Sequence, residues 1–272
     1  MSRKVNWPLT ILLIICSLFI LFPLYLTVVT AFKTPEEMGQ SLLALPDRFH
    51  WQNFKEAARL TNFFHAFRNS ALVTVFTVAF TLLTNSMVAY AIARNMHRKF
   101  FKTLYYYFVS AMFVPFPIIM LPVVKETSLL GLNNMPGLIF LYIVYGLAFN
   151  IFIYVGYIRS IPYSLEEAAH VDGAGTWKVF WKVIFPLLAP INATVGILTC
   201  LWAWNDFLLP LVILNNRDAM TLPLVQYVFQ SQFTTNYNLA FASYLMALSP
   251  MIIVYLFAQK WIISGVTRGA VK

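Results

Sequence analysis

Six long apolar segments, separated by polar or charged residues, constrain this chain more than any other feature of its sequence. The hydrocarbon core of a bilayer is about 30 Å thick, which a helix of about 20 residues crosses. The six segments have about that length and lie at residues 8–32, 70–93, 104–124, 136–158, 187–214 and 239–263. We therefore expect an all-α, polytopic membrane protein whose 272 residues form a single transmembrane domain of six helices.

The amino-acid composition excludes two other classes of protein. Hydrophobic residues make up 60% of the chain and charged residues 11%, against about 45–50% and about 25% in a typical soluble domain. So little polar surface cannot cover a soluble enzyme, and disordered chains are polar and charged. Cys16 and Cys200 both lie inside apolar segments, which indicates neither a disulfide framework nor a Cys-x-x-Cys metal site.

The basic residues predict the orientation of the chain in the membrane. Cytoplasmic loops of membrane proteins carry an excess of lysine and arginine. With six spans and both termini in the cytoplasm, 12 of the 19 basic residues are cytoplasmic, namely Arg3, Lys4, Arg94, Arg98, Lys99, Lys102, Arg159, Lys178, Lys182, Lys260, Arg268 and Lys272. This orientation accounts for most of the formal net charge of +9, so the charge does not call for a nucleic-acid partner.

The predicted cytoplasmic loop at residues 161–186 has the pattern of two short helices around a turn. Ser164 and Glu167 have the spacing of a capping box, which satisfies free amide groups at a helix start. Gly173 and Gly175 are expected to end that helix, because glycine accepts left-handed dihedral angles. Thr176 is expected to cap a second helix, with one apolar face that carries Trp177, Phe180, Trp181 and Ile184.

The same loop carries a spaced motif that resembles a known one. Glu167-Ala168-Ala169 is followed by Gly173 and then by Val183-Ile184-Phe185-Pro186, and this spacing is similar to the EAA loop of ABC-importer permeases. In that family the loop forms coupling helices that lie in a cleft of the ATPase subunit. The resemblance implies that this chain contacts an ATPase through Glu167, Ala168, Ala169, Asp172, Gly173 and Pro186.

Further motifs extend the resemblance to about residues 28–272. They include Phe32-Lys33-Thr34, Ala89–Arg94, Trp204–Phe207 and the tail Gly265–Lys272, and together they resemble the carbohydrate permeases of the maltose-transporter type. The family implies a sugar or oligosaccharide as solute, a bacterial or archaeal cytoplasmic membrane, a second homologous permease, two ATPase subunits and an extracytoplasmic solute-binding protein. The sequence has no phosphate-binding GxxxxGK[ST] loop. We therefore expect this chain to bind no cofactor, with ATP and Mg²⁺ held by the partner ATPase.

Two regions are candidates for contact with the solute or its binding protein. Polar residues inside a membrane usually face a cavity or a partner helix, and the fifth segment carries Trp202, Trp204, Asn205 and Asp206. These residues are candidates for the solute pathway, although the sequence favours the alternative that they serve in interfacial anchoring and helix packing. The last predicted external loop is polar, and the resemblance implies a binding-protein contact through Gln226, Gln230, Gln232 and Tyr237. A solvated connector is the alternative.

Two other functions agree less well with the sequence. An ion-coupled secondary transporter is the main alternative, but such proteins typically carry repeats with interrupted helices in both halves, and this sequence shows no obvious repeat. A membrane enzyme needs paired catalytic groups within its spans. Asp206 is the one acidic residue in the predicted spans, and no histidine lies within them. The sequence thus favours a transport subunit without catalytic or metal-binding residues.

Overall fold

The computed structural model describes residues 6–227, 229 and 236–270, with the backbone alone for residues 258 and 260–270. Within these residues every regular element is a helix, and the all-α, polytopic class is confirmed. The main helices are α1 Trp7–Ala31, α2 Pro35–Gln40, α3 Gln52–Leu60, α4 Phe63–Arg94, α5 Lys99–Ala111, α6 Phe116–Leu129, α7 Met135–Ile158, α8 Ser164–Val171, α9 Thr176–Val179, α10 Phe185–Leu187, α11 Ala189–Asn205, α12 Leu208–Ile213, α13 Leu222–Gln226 and α14 Tyr237–Ala270.

The described residues pack as two compact units. The first unit comprises the described parts of Met1–Ala66 and Val225–Ile252, and the second those of Phe67–Leu224 and Ile253–Lys272. In the described part of the chain, four helices are long and apolar enough to cross a membrane by themselves: Trp7–Ala31, Phe63–Arg94, Met135–Ile158 and Tyr237–Phe257. Among the described residues the number of candidate spans reaches six if each of two bent helix pairs counts as one span.

The side chain of Asn53 links three segments of the first unit. Its Nδ2 donates to the carbonyl oxygens of Ala31 and Lys33 at 2.9 and 2.8 Å. Its Oδ1 accepts a hydrogen bond from Asn238 Nδ2 at 3.2 Å. One buried amide on α3 therefore joins the end of α1 to the start of α14, beside a core that includes Ala57.

The second unit contains two apolar cores. The first core surrounds Ile92 of α4, Tyr154 and Ile158 of α7, and Phe180 and Ile184. The second core includes Leu138, Leu141, Leu209 and Ile213. The first core joins the end of α4 to the segment after α7, which positions the region that resembles a coupling loop.

The predicted third span is two helices, not one. Helices α5 and α6 meet at an angle of 107°, and the break lies at residues 112–115. Pro115 lacks an amide hydrogen and disfavours a helical conformation at the residue before it. Pro115 precedes the first residue of α6, and Pro122 lies within this helix. The break therefore follows from the prolines, whereas the sharp angle was not predicted.

The predicted fifth span, residues 187–214, is also interrupted. The helical run Thr176–Leu187 and helix α11 are bent by 75° at Leu188. Helix α11 ends at Asn205, because Asp206 adopts an extended conformation with ψ of 132°. The Asp206 carboxylate then accepts a hydrogen bond from the amide of Leu208, at the start of the short helix α12.

Candidate functional site

The candidate site is the segment at residues 161–186, which we call the coupling segment, and it is anchored to α4 by a buried carboxylate. Glu166 is 2% exposed. Its Oε1 lies 2.6 Å from Arg94 Nε, and its Oε2 accepts a hydrogen bond from the Tyr90 hydroxyl at 2.6 Å. Arg94 also donates to the carbonyl oxygen of Ile161 at 3.2 Å. Both charges of this ion pair are thus hydrogen-bonded, as a buried pair requires.

The predicted capping box at the start of α8 is wrong. The residue before the helix is Tyr163, so Ser164 is the first helical residue and its hydroxyl is not placed to cap. The amide groups of Glu166 and Glu167 donate instead to the carbonyl oxygen of Tyr163, at 2.9 and 3.1 Å. In this register Glu166 points into the protein, while the Glu167 side chain is exposed.

Gly173 makes the turn after α8, as the sequence predicted. Its φ is +79°, a left-handed value that favours glycine. The amide of Gly173 donates to the carbonyl oxygen of His170 at 3.0 Å, and that of Ala174 donates to Ala169 at 2.9 Å. This pair of bonds is the Schellman motif of a helix end. His170 Nδ1 lies 2.8 Å from the carbonyl oxygen of Ala174 and adds a side-chain bond to the same turn.

The second half of the coupling segment departs from the prediction. Gly175, with φ of −70° and ψ of 163°, precedes the helix, so Thr176 is its first residue and not its cap. After one turn the chain becomes a π-helix at Phe180–Ile184. Phe180 and Ile184 are buried, whereas Trp177 and Trp181 are 68% and 39% exposed, so the four predicted apolar residues do not share one buried face.

The outer surface of the coupling segment is mixed in character. Glu167 and Ala168 are exposed on α8, and Val171 beside them is 88% exposed. The remaining residues with a predicted coupling role are also accessible in part: Asp172, Gly173 and Pro186 are exposed, and Ala169 is half-buried. A carboxylate beside small and apolar side chains on a rigidly anchored helix is suited to contact with another protein.

Arg94 is one of three residues of this site, with Tyr90 and Glu166, whose roles the sequence did not reveal. It lies 72 positions before Glu166, and no local pattern links two residues so far apart. The signal that could have identified it is the motif Ala89–Arg94, which forms part of the family resemblance. Its guanidinium also lies 5.6 Å from the centre of the Tyr163 ring, at the distance of a cation–π contact.

The four residues of the predicted solute pathway have different surroundings. Trp202 lines a cavity of about 260 Å³ between α7 and α11. Trp204 is 5% exposed and packs edge-on against Phe67, with ring centres 5.7 Å apart. Asn205 donates to the carbonyl oxygen of Leu201 at 2.8 Å. The Asp206 carboxylate accepts a hydrogen bond from Tyr142 at 2.9 Å. The Tyr142 ring also packs edge-on against Trp202, with ring centres 5.0 Å apart, so Trp202 and Asp206 share one neighbour.

Two of the four residues with a predicted binding-protein contact, Gln230 and Gln232, lie outside the described residues. Gln226 donates to the carbonyl oxygen of Ser243 at 3.3 Å, and Tyr237 is 54% exposed. Nowhere in the described part of the chain do three His, Cys, Asp or Glu residues group in a way that could hold a metal ion.

A family model and the similar proteins of known name indicate the same family. A family model described as the inner membrane component of binding-protein-dependent transport systems matches residues 85–268. The multiple sugar-binding transport system permease protein MsmG of Streptococcus mutans is 43% identical over 278 residues, which cover 100% of this chain and 99% of that protein. The probable starch degradation products transport system permease protein AmyC of Thermoanaerobacterium thermosulfurigenes is 38% identical, with 99% of each chain covered.

A solved structure shows the same fold. It is a crystal structure of a bacterial ABC transporter involved in the import of the acidic polysaccharide alginate. The TM-score is 0.83 at 23% identity, and the match covers 96% of this chain and 99% of that one. At this identity the likeness concerns the fold alone.

Proposed function

The chain belongs to the family of inner membrane components of binding-protein-dependent transport systems, and we propose that it is a permease subunit of an ABC importer for a sugar or oligosaccharide. The family is one of transport permeases, not enzymes, and the chain is a multi-pass membrane protein. The relatives with carbohydrate names support the choice of solute, because each of them matches nearly the whole chain at 38–43% identity.

The coupling segment carries the mechanistic part of the proposal. An ATPase subunit would contact Glu167, Ala168 and their exposed neighbours. Because Glu166 and Arg94 tie α8 to α4, a displacement of α8 would move α4 with it. Closure of two ATPases on ATP would then pull the cytoplasmic ends of the permease helices together and open the outer side. The single observation that supports this reading is the exposed Glu167 on a helix whose other face is fixed by a buried ion pair.

The proposal includes a set of partners and an orientation. A second permease would complete the pathway, two ATPase subunits would hold ATP and Mg²⁺, and an extracytoplasmic solute-binding protein would deliver the solute. The alginate transporter supports the last partner, because it has been crystallised with a periplasmic protein bound to an alginate pentasaccharide. Both termini and the coupling segment would be cytoplasmic, in agreement with the excess of basic residues there.

The test of coupling compares two glutamates in the complete importer, reconstituted in vesicles. Glu167→Gln removes an exposed charge from α8, and Glu36→Gln removes an exposed charge from α2 as the matched control. We expect Glu167→Gln to lower uptake and solute-stimulated ATP hydrolysis by about tenfold, with the complex still assembled. Near-normal uptake and hydrolysis in this variant would contradict the coupling role.

The test of orientation uses an impermeant thiol reagent on whole cells. Cys16 and Cys200 are first replaced by serine, and single cysteines are then placed at Lys178 and at Asn215, both of which are exposed. We expect Asn215→Cys to react in intact cells and Lys178→Cys to react only after the membrane is opened. Labelling of Lys178→Cys from outside would contradict the six-span orientation.

A further inference from the structure

The cavity between α7 and α11 combines aromatic rings with hydrogen-bonding side chains. Tyr145 and Phe149 of α7 and Trp202 of α11 supply the rings, and Asn150 and Thr199 supply an amide and a hydroxyl. A ring face suits the C–H surface of a sugar, and the polar groups suit its hydroxyls. Apolar walls with a few placed polar groups are typical of a site for a small ligand.

Asn150 has hydrogen-bonding capacity that the protein does not use. Its side chain is 3% exposed, and its Nδ2 makes no hydrogen bond with any described residue. An amide nitrogen can donate two hydrogen bonds, and a buried donor without an acceptor is unfavourable. This donor lines the cavity, where an oxygen atom of a ligand could accept its hydrogen.

Gly146 lies directly against the Asn150 amide and near a second free amide. A Cβ atom at this position would lie 3.0 Å from Asn150 Nδ2 and 3.7 Å from Asn85 Nδ2. Asn85, on α4, is fully buried, and its Nδ2 likewise makes no hydrogen bond within the described part of the chain. Two amide donors from different helices therefore flank Gly146, and a side chain at this position would displace the Asn150 amide.

The face of α4 that carries Asn85 is polar along several turns. Three further buried residues of this face have hydroxyls that bond to no described residue, namely Thr74, Thr77 and Thr81. Other threonines of the chain bond to the carbonyl oxygen four residues earlier, as Thr84 and Thr127 do at 2.8 Å. The unused hydroxyls thus continue the polar face of α4 that carries Asn85.

We propose that the cavity is a glycosyl-binding subsite of this chain, in which the Asn150 amide donates to a sugar hydroxyl while Trp202 and Tyr145 cover the ring. The proposal rests on the proposed carbohydrate function and adds where in this subunit the solute is held. Asn85 lies near Gly146 on the side of α4 and does not itself line the cavity. Thr199 is placed on the opposite wall to bond a further hydroxyl.

The experiment measures the selectivity of the complete importer in vesicles. Initial uptake of labelled raffinose, stachyose and maltotriose is compared for the unaltered chain and for Gly146→Ala, Asn150→Leu and Thr199→Val. Gly156→Ala on the same helix is the matched control, because a Cβ there would meet no described atom within 4 Å. Ratios between sugars are independent of the amount of assembled complex, so a purely structural defect would not change them.

We expect Gly146→Ala and Asn150→Leu to change at least one ratio by about fivefold, as the loss of one hydrogen bond would, and Gly156→Ala to change none. Ratios that match those of the control in all three variants would overturn the subsite and leave the proposed function intact. Failure of all three variants to assemble would assign these groups to packing and would also overturn it. If the unaltered importer takes up none of the three sugars, that result would contradict the proposed carbohydrate function itself.

Discussion

Glu166 and Asn150 are both buried polar residues of the second unit, but their surroundings are opposite. Each carboxylate oxygen of Glu166 has a partner at 2.6 Å, one on Arg94 and one on Tyr90. The Asn150 amide nitrogen has no partner among the described residues and lines a cavity. A buried polar group without a partner is unfavourable. Both residues are buried, so they differ in whether the neighbouring helices supply a hydrogen-bond partner.

This contrast indicates that buried polar groups in the second unit have two different roles. A fully bonded pair fixes the direction of a helix, because any rotation would break short charged hydrogen bonds. An unpaired donor fixes nothing within the protein and remains available to a ligand. On this interpretation the Glu166 anchor transmits movement, and the Asn150 cavity meets the solute.

The largest expected effect comes from breaking the anchor. Glu166→Gln leaves the Arg94 guanidinium, on a side chain that is 13% exposed, without its carboxylate, and the loss of one partner of a buried ion pair typically costs about 3–5 kcal/mol. We expect a lower thermal unfolding temperature of the purified complex, faster proteolysis within residues 161–186 and a loss of most uptake.

The control for the anchor removes both charges. In Arg94→Met with Glu166→Met no charge is left buried and unpaired, and the stability should recover in large part. Glu167→Gln should leave the unfolding temperature unchanged, since that side chain is exposed. An equal loss of stability in the Glu166 and Glu167 variants would contradict the comparison.

The turn after α8 gives the next effect. Gly173→Ala places a side chain at φ of +79°, which costs roughly 1–2 kcal/mol for an L residue. Gly175→Ala is the matched control, because φ there is −70° and a Cβ would meet no described atom within 4 Å. Thermal unfolding of the complex should distinguish the two variants, and equal values would mean that the turn is not held in the left-handed form.

Threonine-to-valine substitutions test whether a hydroxyl without a partner contributes less to stability than a bonded one. Thr127→Val loses the bonds of its hydroxyl to Val123 and Val124 and should cost about 1 kcal/mol. Thr81→Val removes a hydroxyl that bonds to no described residue, so its effect on stability should lie within about 0.5 kcal/mol. Urea or thermal unfolding of the two variants checks this order, and a larger loss in Thr81→Val would contradict it.

The smallest effect concerns a bonded carboxylate at the surface. Hydrogen bonds from the backbone amides of Thr34 and Asp47 hold the pKa of Glu37 below its usual value of 4.5. A lowered pKa in the folded state contributes stability above the unfolded pKa and loses it as the pH falls through the folded pKa. We therefore expect Glu37→Gln to reduce the acid sensitivity of the unfolding temperature below about pH 4.5, and an unchanged pH profile would count against this bond network.

The long helices could be predicted from the sequence because they depend on local hydropathy. Met135–Ile158 and the predicted span at 136–158 differ by one residue, since both ends coincide with a change from apolar to polar residues. The interruption of the third span follows from Pro115, which cannot continue a helix on its N-terminal side. Its angle depends on packing with other helices, and no short pattern encodes that angle.

The interior of the candidate site could not be predicted in the same way. The Ser164–Glu167 spacing fits a capping box, but the helix begins with Ser164 itself, and that register turns Glu166 inward. The partner of Glu166 comes from a helix more than 70 positions earlier. Asn150 was not singled out either, because an unpaired amide is a property of the surrounding helices and not of the residue.

The π-helix at Phe180–Ile184 makes the length of the coupling segment as important as its side chains. A π-helix corresponds to one extra residue within an α-helical path, and each residue of an α-helix turns the chain by about 100°. Deleting one residue here would restore regular helix but rotate α8 about the axis of the following helix, away from the direction in which Glu167 now points. Natural variants of this segment should therefore differ by substitution, and insertions or deletions should be found on the far side of Pro186 or before Ile161.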